Sequence, residues 1–157
     1  VTWSPDSQAV LFQAQNREQT FLDLNAATAT DGKVRTLLTE KSSTYVEVID
    51  NPTFLNNGTG IWESARNGFK HLYHYDSSGK LLKQITDGKW EVSNFHGVDE
   101  KNGFVYFSAI GQGNDWINTH VYRIKLDGTG LQQLTKEAGT HRASFNSTFT
   151  HFVDNWS

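Results

Sequence analysis

The chain has 157 residues, enough for one ordinary domain with a sizeable core. Its 14 Lys and Arg against 17 Asp and Glu leave a net charge of −3, which offers nucleic acid no basic face, and no apolar run approaches the ~20 residues of a membrane-spanning helix. Without cysteine the chain forms neither disulfides nor thiolate metal sites, while five Trp, five Tyr and ten Phe suit twisted antiparallel sheets.

With no initiator Met, no signal peptide and a first residue already inside a strand, the sequence reads as a piece cut from a longer protein. Residues 1–3 are apolar, and Ser4-Pro5-Asp6-Ser7 is a turn with Pro placed to start it. A strand is expected over residues 9–15 (AVLFQAQ), then a turn at 16–19. Residues 20–25 (TFLDLN) alternate with period two, as a sheet with two different faces requires. Residues 26–33 read as a loop ending in Asp31-Gly32, because four Ala/Thr residues before Asp-Gly cannot sustain a helix. Residues 34–39 close this first unit. Residues 41–50 link it to the second, with a possible opening strand at 45–49.

The clearest grammar lies in residues 51–92. Short apolar runs at 52–55, 60–64, 69–75 and 80–86 alternate with the tight turns Asn56-Asn57-Gly58, Ala65-Arg66-Asn67-Gly68 and Asp76-Ser77-Ser78-Gly79. Asn-Gly supplies the positive φ angles that hairpin turns need, and Ser-Gly can do the same. Four strands and three hairpins follow. In the third unit residues 91–95 lead in, 96–98 match the opening strand, and 99–103 the turn. Residues 104–110 (FVYFSAI) are a buried strand, 111–119 a long loop carrying Trp116, 120–126 an alternating strand, and 131–135 the close. A fourth unit starts at 143–145 and runs through 149–154.

The closing pairs Leu38-Thr39, Ile85-Thr86 and Leu134-Thr135 are 47 and 49 residues apart, and the opening residues Trp3, Phe54, Val98 and Phe145 are 51, 44 and 47 apart. A period in the forties with four strands per unit is the mark of β-propeller blades; a β-sandwich, whose strands also come at short regular spacing, is the alternative. The fold class is therefore all-β: antiparallel four-stranded blades forming a partial β-propeller of about three blades and the start of a fourth. The blade-like units fall at about 1–40, 45–92, 93–140 and 141–157, all within one propeller domain. Exposed blade faces and strand edges predict self-association of the isolated piece.

Chemistry-bearing residues are plentiful, and their spacing favours structural roles. His71 and His74 are three apart, which on a strand sends them to opposite faces, so the six histidines read as surface or turn residues. No serine sits in a G-x-S-x-G elbow. The turns at Asp6, Asn56-Asn57-Gly58, 99–103 and Asp127-Gly128 lack the ligand spacing of an EF-hand and read as turn formers. Trp62, Trp90 and Trp116 read as packing between blades, with a sugar-stacking platform as the rival. Asn146-Ser147-Thr148 fits the glycosylation pattern. No catalytic residue, cofactor or metal site is expected.

Two stretches carry a family likeness. Residues 63–73 (ESARNGFKHLY) and 87–128, with DGKWEV, DEKNGFVYFS and HVYRIKLDG in order, resemble the N-terminal propeller of the dipeptidyl peptidase IV family. The first looks like that family's S-x-R-x-G-[FW]-x-H-[IL]-Y run. Residues 139–157 resemble the stretch leading out of the propeller. The likeness covers nearly the whole chain, strongest from Gly60 onward and weak over residues 28–50.

That resemblance implies a non-catalytic propeller segment of a serine exopeptidase that releases Xaa-Pro or Xaa-Ala dipeptides. Its partners would be an α/β-hydrolase domain of the same parent chain, bearing the Ser-Asp-His triad, and peptide substrates whose access the propeller gates. The Glu pair with which the family binds the substrate amino group is absent, so the later blades are implied. One late-blade element of the family also reaches the substrate pocket, and by position it falls on residues 45–49. Tyr45 and Glu47 are the candidate substrate-binding residues, although YVEVI does not reproduce an aromatic–Arg pair. Periplasmic or secreted location is implied by the family alone. The rivals are a binding or scaffold propeller with no peptidase domain, of the kind in periplasmic assembly proteins that share the Trp3-Ser4-Pro5-Asp6 turn, and a carbohydrate-binding module.

Overall fold

A computed structural model of the chain describes residues 1–49 and 52–157. Asp50 and Asn51, where the linker meets the second unit, lie outside the described residues. The strands are β1 (Thr2–Trp3), β2 (Ala9–Gln15), β3 (Phe21–Thr28), β4 (Val34–Lys41), β5 (Thr53–Phe54), β6 (Gly60–Ser64) and β7 (His71–Tyr75), followed by β8 (Leu81–Gln84), β9 (Glu91–Asp99), β10 (Phe104–Ile110), β11 (Thr119–Lys125), β12 (Gln132–Gln133), β13 (His141–Phe145) and β14 (Phe152–Trp156). Consecutive strands pair as antiparallel meanders, β1-β2-β3-β4, β5-β6-β7-β8 and β9-β10-β11-β12, with a two-stranded sheet β13-β14. A single 3₁₀ turn at Gln112–Asn114 is the helical element among the described residues. No helix is long and apolar enough to cross a membrane.

The chain forms two compact units, Val1–Gly68 with Tyr73–Leu82 and Phe69–Leu72 with Lys83–Ser157, so the division runs through β7 and β8. In the first unit the alternation of residues 20–25 works as the pleat demands: Leu22 and Leu24 are buried on one face of β3. They pack with Val46, Trp62, Tyr73 and Tyr75 into the core of this unit, flanked by Leu37, Leu38 and Ile49. One turn glycine is demanded twice over. Gly79 has φ +90°, and a Cβ there would stand 2.0 Å from the Leu37 carbonyl oxygen, so both the left-handed backbone and the close approach require it.

The second unit is built on β10, buried from Val105 to Ala109. Its aromatic residues form a column in which Trp90 stacks on Phe107 and Phe107 on Tyr122, each at 5.8 Å between ring centroids and nearly parallel. Such offset stacks add to the area each ring removes from water. The pairing of β9 with β10 slips twice, between Tyr106 and Phe107 and between Ser108 and Ala109, so β9 carries two bulges.

Three sequence expectations are corrected. Residues 26–28 are strand, not loop: β3 runs on to Thr28 because Ala26 and Ala27 pair with Arg35 and Val34 on one side and with Leu11 and Val10 on the other. Residues 45–49 form no strand: the Gln13 and Gln15 side chains, rather than a ladder, take the Ile49 and Val46 carbonyls. Residues 91–99 are one continuous strand rather than a lead-in followed by an opening strand. The bulges interrupted the alternation that would have shown this.

Candidate functional site

The loop after β4 holds both candidate binding residues. Ser42 Oγ accepts hydrogen bonds from the backbone N–H groups of Thr44 and Tyr45, at 3.1 and 3.2 Å, which turns the chain back across β2. There Gln13 and Gln15, two apart and so on one face of the strand, each donate from Nε2: Gln13 to the Ile49 carbonyl at 2.9 Å and Gln15 to the Val46 carbonyl at 2.6 Å. The Val46 N–H donates to the Gln19 carbonyl at 2.7 Å, and the Val46 side chain enters the core. Tyr45, 53% exposed, and Glu47, also exposed, stand on either side of that anchor. A pinned loop with two solvent-facing side chains can contact a ligand at little ordering cost.

Beneath lies a polar network that sequence reading missed. Glu40 is buried at the end of β4. Its Oε1 accepts from Trp62 Nε1 at 2.9 Å and from the Arg66 guanidinium, and its Oε2 from Ser64 Oγ at 2.8 Å. Arg66 also donates from Nε to Ser64 Oγ at 2.9 Å, and its guanidinium lies 4.3 Å over the Tyr73 ring. Burial opposes the Arg66 charge, but Glu40 and then Tyr75 outweigh it and leave its pKa above the ordinary value. Burial raises the Tyr75 phenol, with the Arg66 charge pulling the other way. The network explains the motif spacing: Trp62 and Ser64 are two apart on β6, on one face, and Arg66 in the following turn folds back onto both.

The histidines depart from expectation. His71, His74, His120 and His141 are buried: β7 and the head of β11 are covered on both faces, and on β13 His141 takes the covered face while Arg142 takes the exposed one; each ring finds a hydrogen-bonding partner. His71 Nδ1 meets Thr86 Oγ1 at 3.0 Å and Nε2 the Gly88 carbonyl at 3.1 Å. His74 Nε2 meets Thr59 Oγ1 at 2.7 Å. His141 lies between Asp154, 2.6 Å from Nδ1, and the Glu137 carbonyl, 2.8 Å from Nε2. Burial lowers the pKa of His71, His74 and His120; for His141 burial is outweighed by Glu137 and Asp154, and the pKa is raised.

The acidic turn residues serve as turn formers. Asp6, Asp76 and Asp127 each accept the N–H two residues on, at 3.0, 2.9 and 2.9 Å. Trp62 and Trp90 are buried, whereas Trp116 is 47% exposed, lying over Gly111 with Phe69 beside it at 5.9 Å.

Comparison with known proteins places these features in a family. Residues 1–157 match the family model described as Dipeptidyl peptidase IV (DPP IV) N-terminal region. The chain is similar to "Probable dipeptidyl-aminopeptidase B" of Arthroderma benhamiae, 38% identical over 86 residues, and to the protein of the same description from Fusarium vanettenii, 39% identical over 85. These matches cover 54% and 50% of this chain and 9% of each relative, so the chain spans only a small part of the relatives' length. The crystal structure of Porphyromonas gingivalis dipeptidyl peptidase 4 superposes with a TM-score of 0.84 over 94% of this chain and 21% of that one, at 25% identity. The meanders are thus blades of a partial β-propeller.

Proposed function

The chain belongs to the dipeptidyl peptidase IV N-terminal region family, and from that premise we propose that it is a non-catalytic propeller segment that gates and orients peptide substrates for a serine-type dipeptidyl peptidase. Acyl transfer would take place in an α/β-hydrolase domain of the same parent chain, which is its partner together with the peptide, in the periplasm or outside the cell. The observation that carries this reading is the loop at residues 45–49. Both its carbonyl clamps and its buried Val46 fix the backbone, while Tyr45 and Glu47 are left exposed. Tyr45 offers a stacking ring and Glu47 a carboxylate for a cationic group, the chemistry that holds a peptide's N-terminal part. The segment itself supplies position, not a nucleophile.

The test uses the parent protein and an Xaa-Pro anilide. Tyr45→Ala and Glu47→Gln should raise KM several-fold with kcat little changed, the signature of lost binding common to ground state and transition state. Unchanged kcat/KM in both variants would remove the two residues from the substrate path. Turnover by the 157-residue chain alone would overturn the non-catalytic assignment. A parent that binds peptides and cleaves none would leave a binding or scaffold propeller. We also expect the isolated chain to self-associate through β14, where Val153 and Trp156 are exposed; a monomer at high concentration in sedimentation would refute that.

A further inference from the structure

Strand β9 is unusual in carrying two bulges within four residues. Gly97 faces Tyr106 and Phe95 faces Phe107, leaving His96 without a ladder partner; Asn94 faces Ser108 and Val92 faces Ala109, leaving Ser93 without one. A bulge bends the strand and re-aims its side chains. Both residues line one cleft of about 300 Å³, together with Asn94, Ser108, Thr140 and Arg142. Among the described residues no Asp or Glu lines it. His141 lines it as well, but both its ring nitrogens are taken, by Asp154 and by the Glu137 carbonyl.

Ser108 and His96 stand in contact, with Oγ 2.8 Å from Nε2, and invite comparison with a nucleophile and its base. The tautomer excludes it. Asn94 Nδ2, a donor only, lies 3.1 Å from His96 Nδ1, so Nδ1 accepts and Nε2–H donates to Ser108 Oγ. A ring in that state cannot take the serine proton. Burial lowers the His96 pKa and favours this neutral form. The Ser108 hydroxyl is thereby left as a donor, in a cleft that the exposed Arg142 also lines.

We propose that this cleft is a carboxylate-binding subsite, with Arg142 supplying the charge and the Ser93, Ser108 and Thr140 hydroxyls the hydrogen bonds. A planar guanidinium fork beside several hydroxyl donors and no acid matches a carboxylate. Its ligand is the C-terminal carboxylate or an acidic side chain of a peptide. The identity of the ligand as a peptide rests on the function proposed above.

The experiment follows the His96 imidazole resonances of the 157-residue chain during titration with three peptides: Ala-Ala-Ala as the free acid, the same peptide as its amide, and Ala-Asp-Ala amide. A saturable shift with the free acid but not its amide assigns the site to a C-terminus, and a shift with Ala-Asp-Ala amide assigns it to an acidic side chain. Arg142→Ala, an exposed substitution, should weaken binding by about tenfold or more, as loss of a charge-assisted hydrogen bond does, with Arg142→Lys restoring part of it. No shift with either acid, an equal shift with the neutral amide, or an affinity indifferent to Arg142→Ala would each overturn the proposal. The anilide assay on Tyr45 and Glu47 involves none of these residues, so either reading can fail alone.

Discussion

The closing segments Leu38-Thr39-Glu40, Ile85-Thr86-Asp87 and Leu134-Thr135-Lys136 repeat in sequence but divide into two kinds in structure. In the second and third blades the outer strand ends before the threonine, at Gln84 and Gln133. The buried hydroxyl then takes over as a ladder acceptor. Thr86 Oγ1 accepts the Leu72 N–H at 2.9 Å beside His71 Nδ1, and Thr135 Oγ1 accepts the Val121 N–H at 3.1 Å beside His120 Nδ1. In the first blade β4 continues to Lys41, so Thr39 stays in register opposite Asp23 and donates to its carboxylate at the surface. The pleat then turns Glu40 inward to Trp62, Ser64 and Arg66. The residue before Leu72, Val121 or Leu22 differs between them. It is His71 or His120 where the threonine is clamped, and Phe21, which has no polar atom to offer, where it is not. One repeat mark thus serves a neutral clamp twice and a charged network once.

The largest expected effect tests the charged side of this contrast. Glu40→Ala leaves the Arg66 guanidinium without its carboxylate partner and the buried Trp62 N–H without an acceptor, a loss of about 3–5 kcal/mol for breaking a buried pair. Urea unfolding would measure it, and a cost below about 1 kcal/mol, the range of an exposed ion pair, would show that the network is incidental. The neutral clamps come next. Thr86→Val and Thr135→Val keep the side-chain shape but strand a backbone N–H, at about 1–3 kcal/mol each. Thr39→Val, at the surface, should cost within about 0.5 kcal/mol. Equal costs at all three threonines would erase the distinction drawn between the blades.

The repeat was legible because strand length, turn chemistry and apolar spacing are local properties. Residues 9–15, 60–64 and 104–110 are strands with the bounds expected of them, each flanked by Gly or Asx turns. What escaped depended on partners distant in sequence. Ala26 and Ala27 have weak intrinsic β preference and are strand because two neighbours pair with them. Glu40 looks like any polar residue near a strand end, and only its meeting with Arg66, 26 residues on, reveals it as buried. The histidines failed for a related reason: a strand covered on both faces has no polar side, so the face argument that separated His71 from His74 says nothing about solvent. Tyr45 and Glu47, expected on an opening strand, lie instead on an exposed loop, whose anchors Gln13 and Gln15 sit in a strand whose polar face gives no hint of them.

The smallest effect distinguishes the two neutral clamps from each other. His71 is enclosed by the Gly88 carbonyl and the edge of Trp90, at 5.1 Å, whereas His120 stacks on His141 at 5.2 Å and has Asp115 at 4.0 Å. Burial lowers both from 6.5, and for His120 the charge of His141 lowers it further, against the attraction of Asp115, Asp154 and Glu137. A lowered histidine binds fewer protons folded than unfolded. Its contribution is therefore present above 6.5 and is lost as the pH falls through its folded value. His141 is raised, with Glu137 and Asp154 outweighing burial, so its contribution is complete below 6.5 and is lost as the pH rises through its folded value. Proton NMR should find His71 and His120 titrating below 6.5 and His141 above it. His141→Gln should move His120 upward and leave His71 unchanged, because only the third blade's clamp is stacked against a second imidazole. A His120 titration indifferent to that substitution would mean that burial alone sets both clamps and that the stacked pair carries no charge coupling.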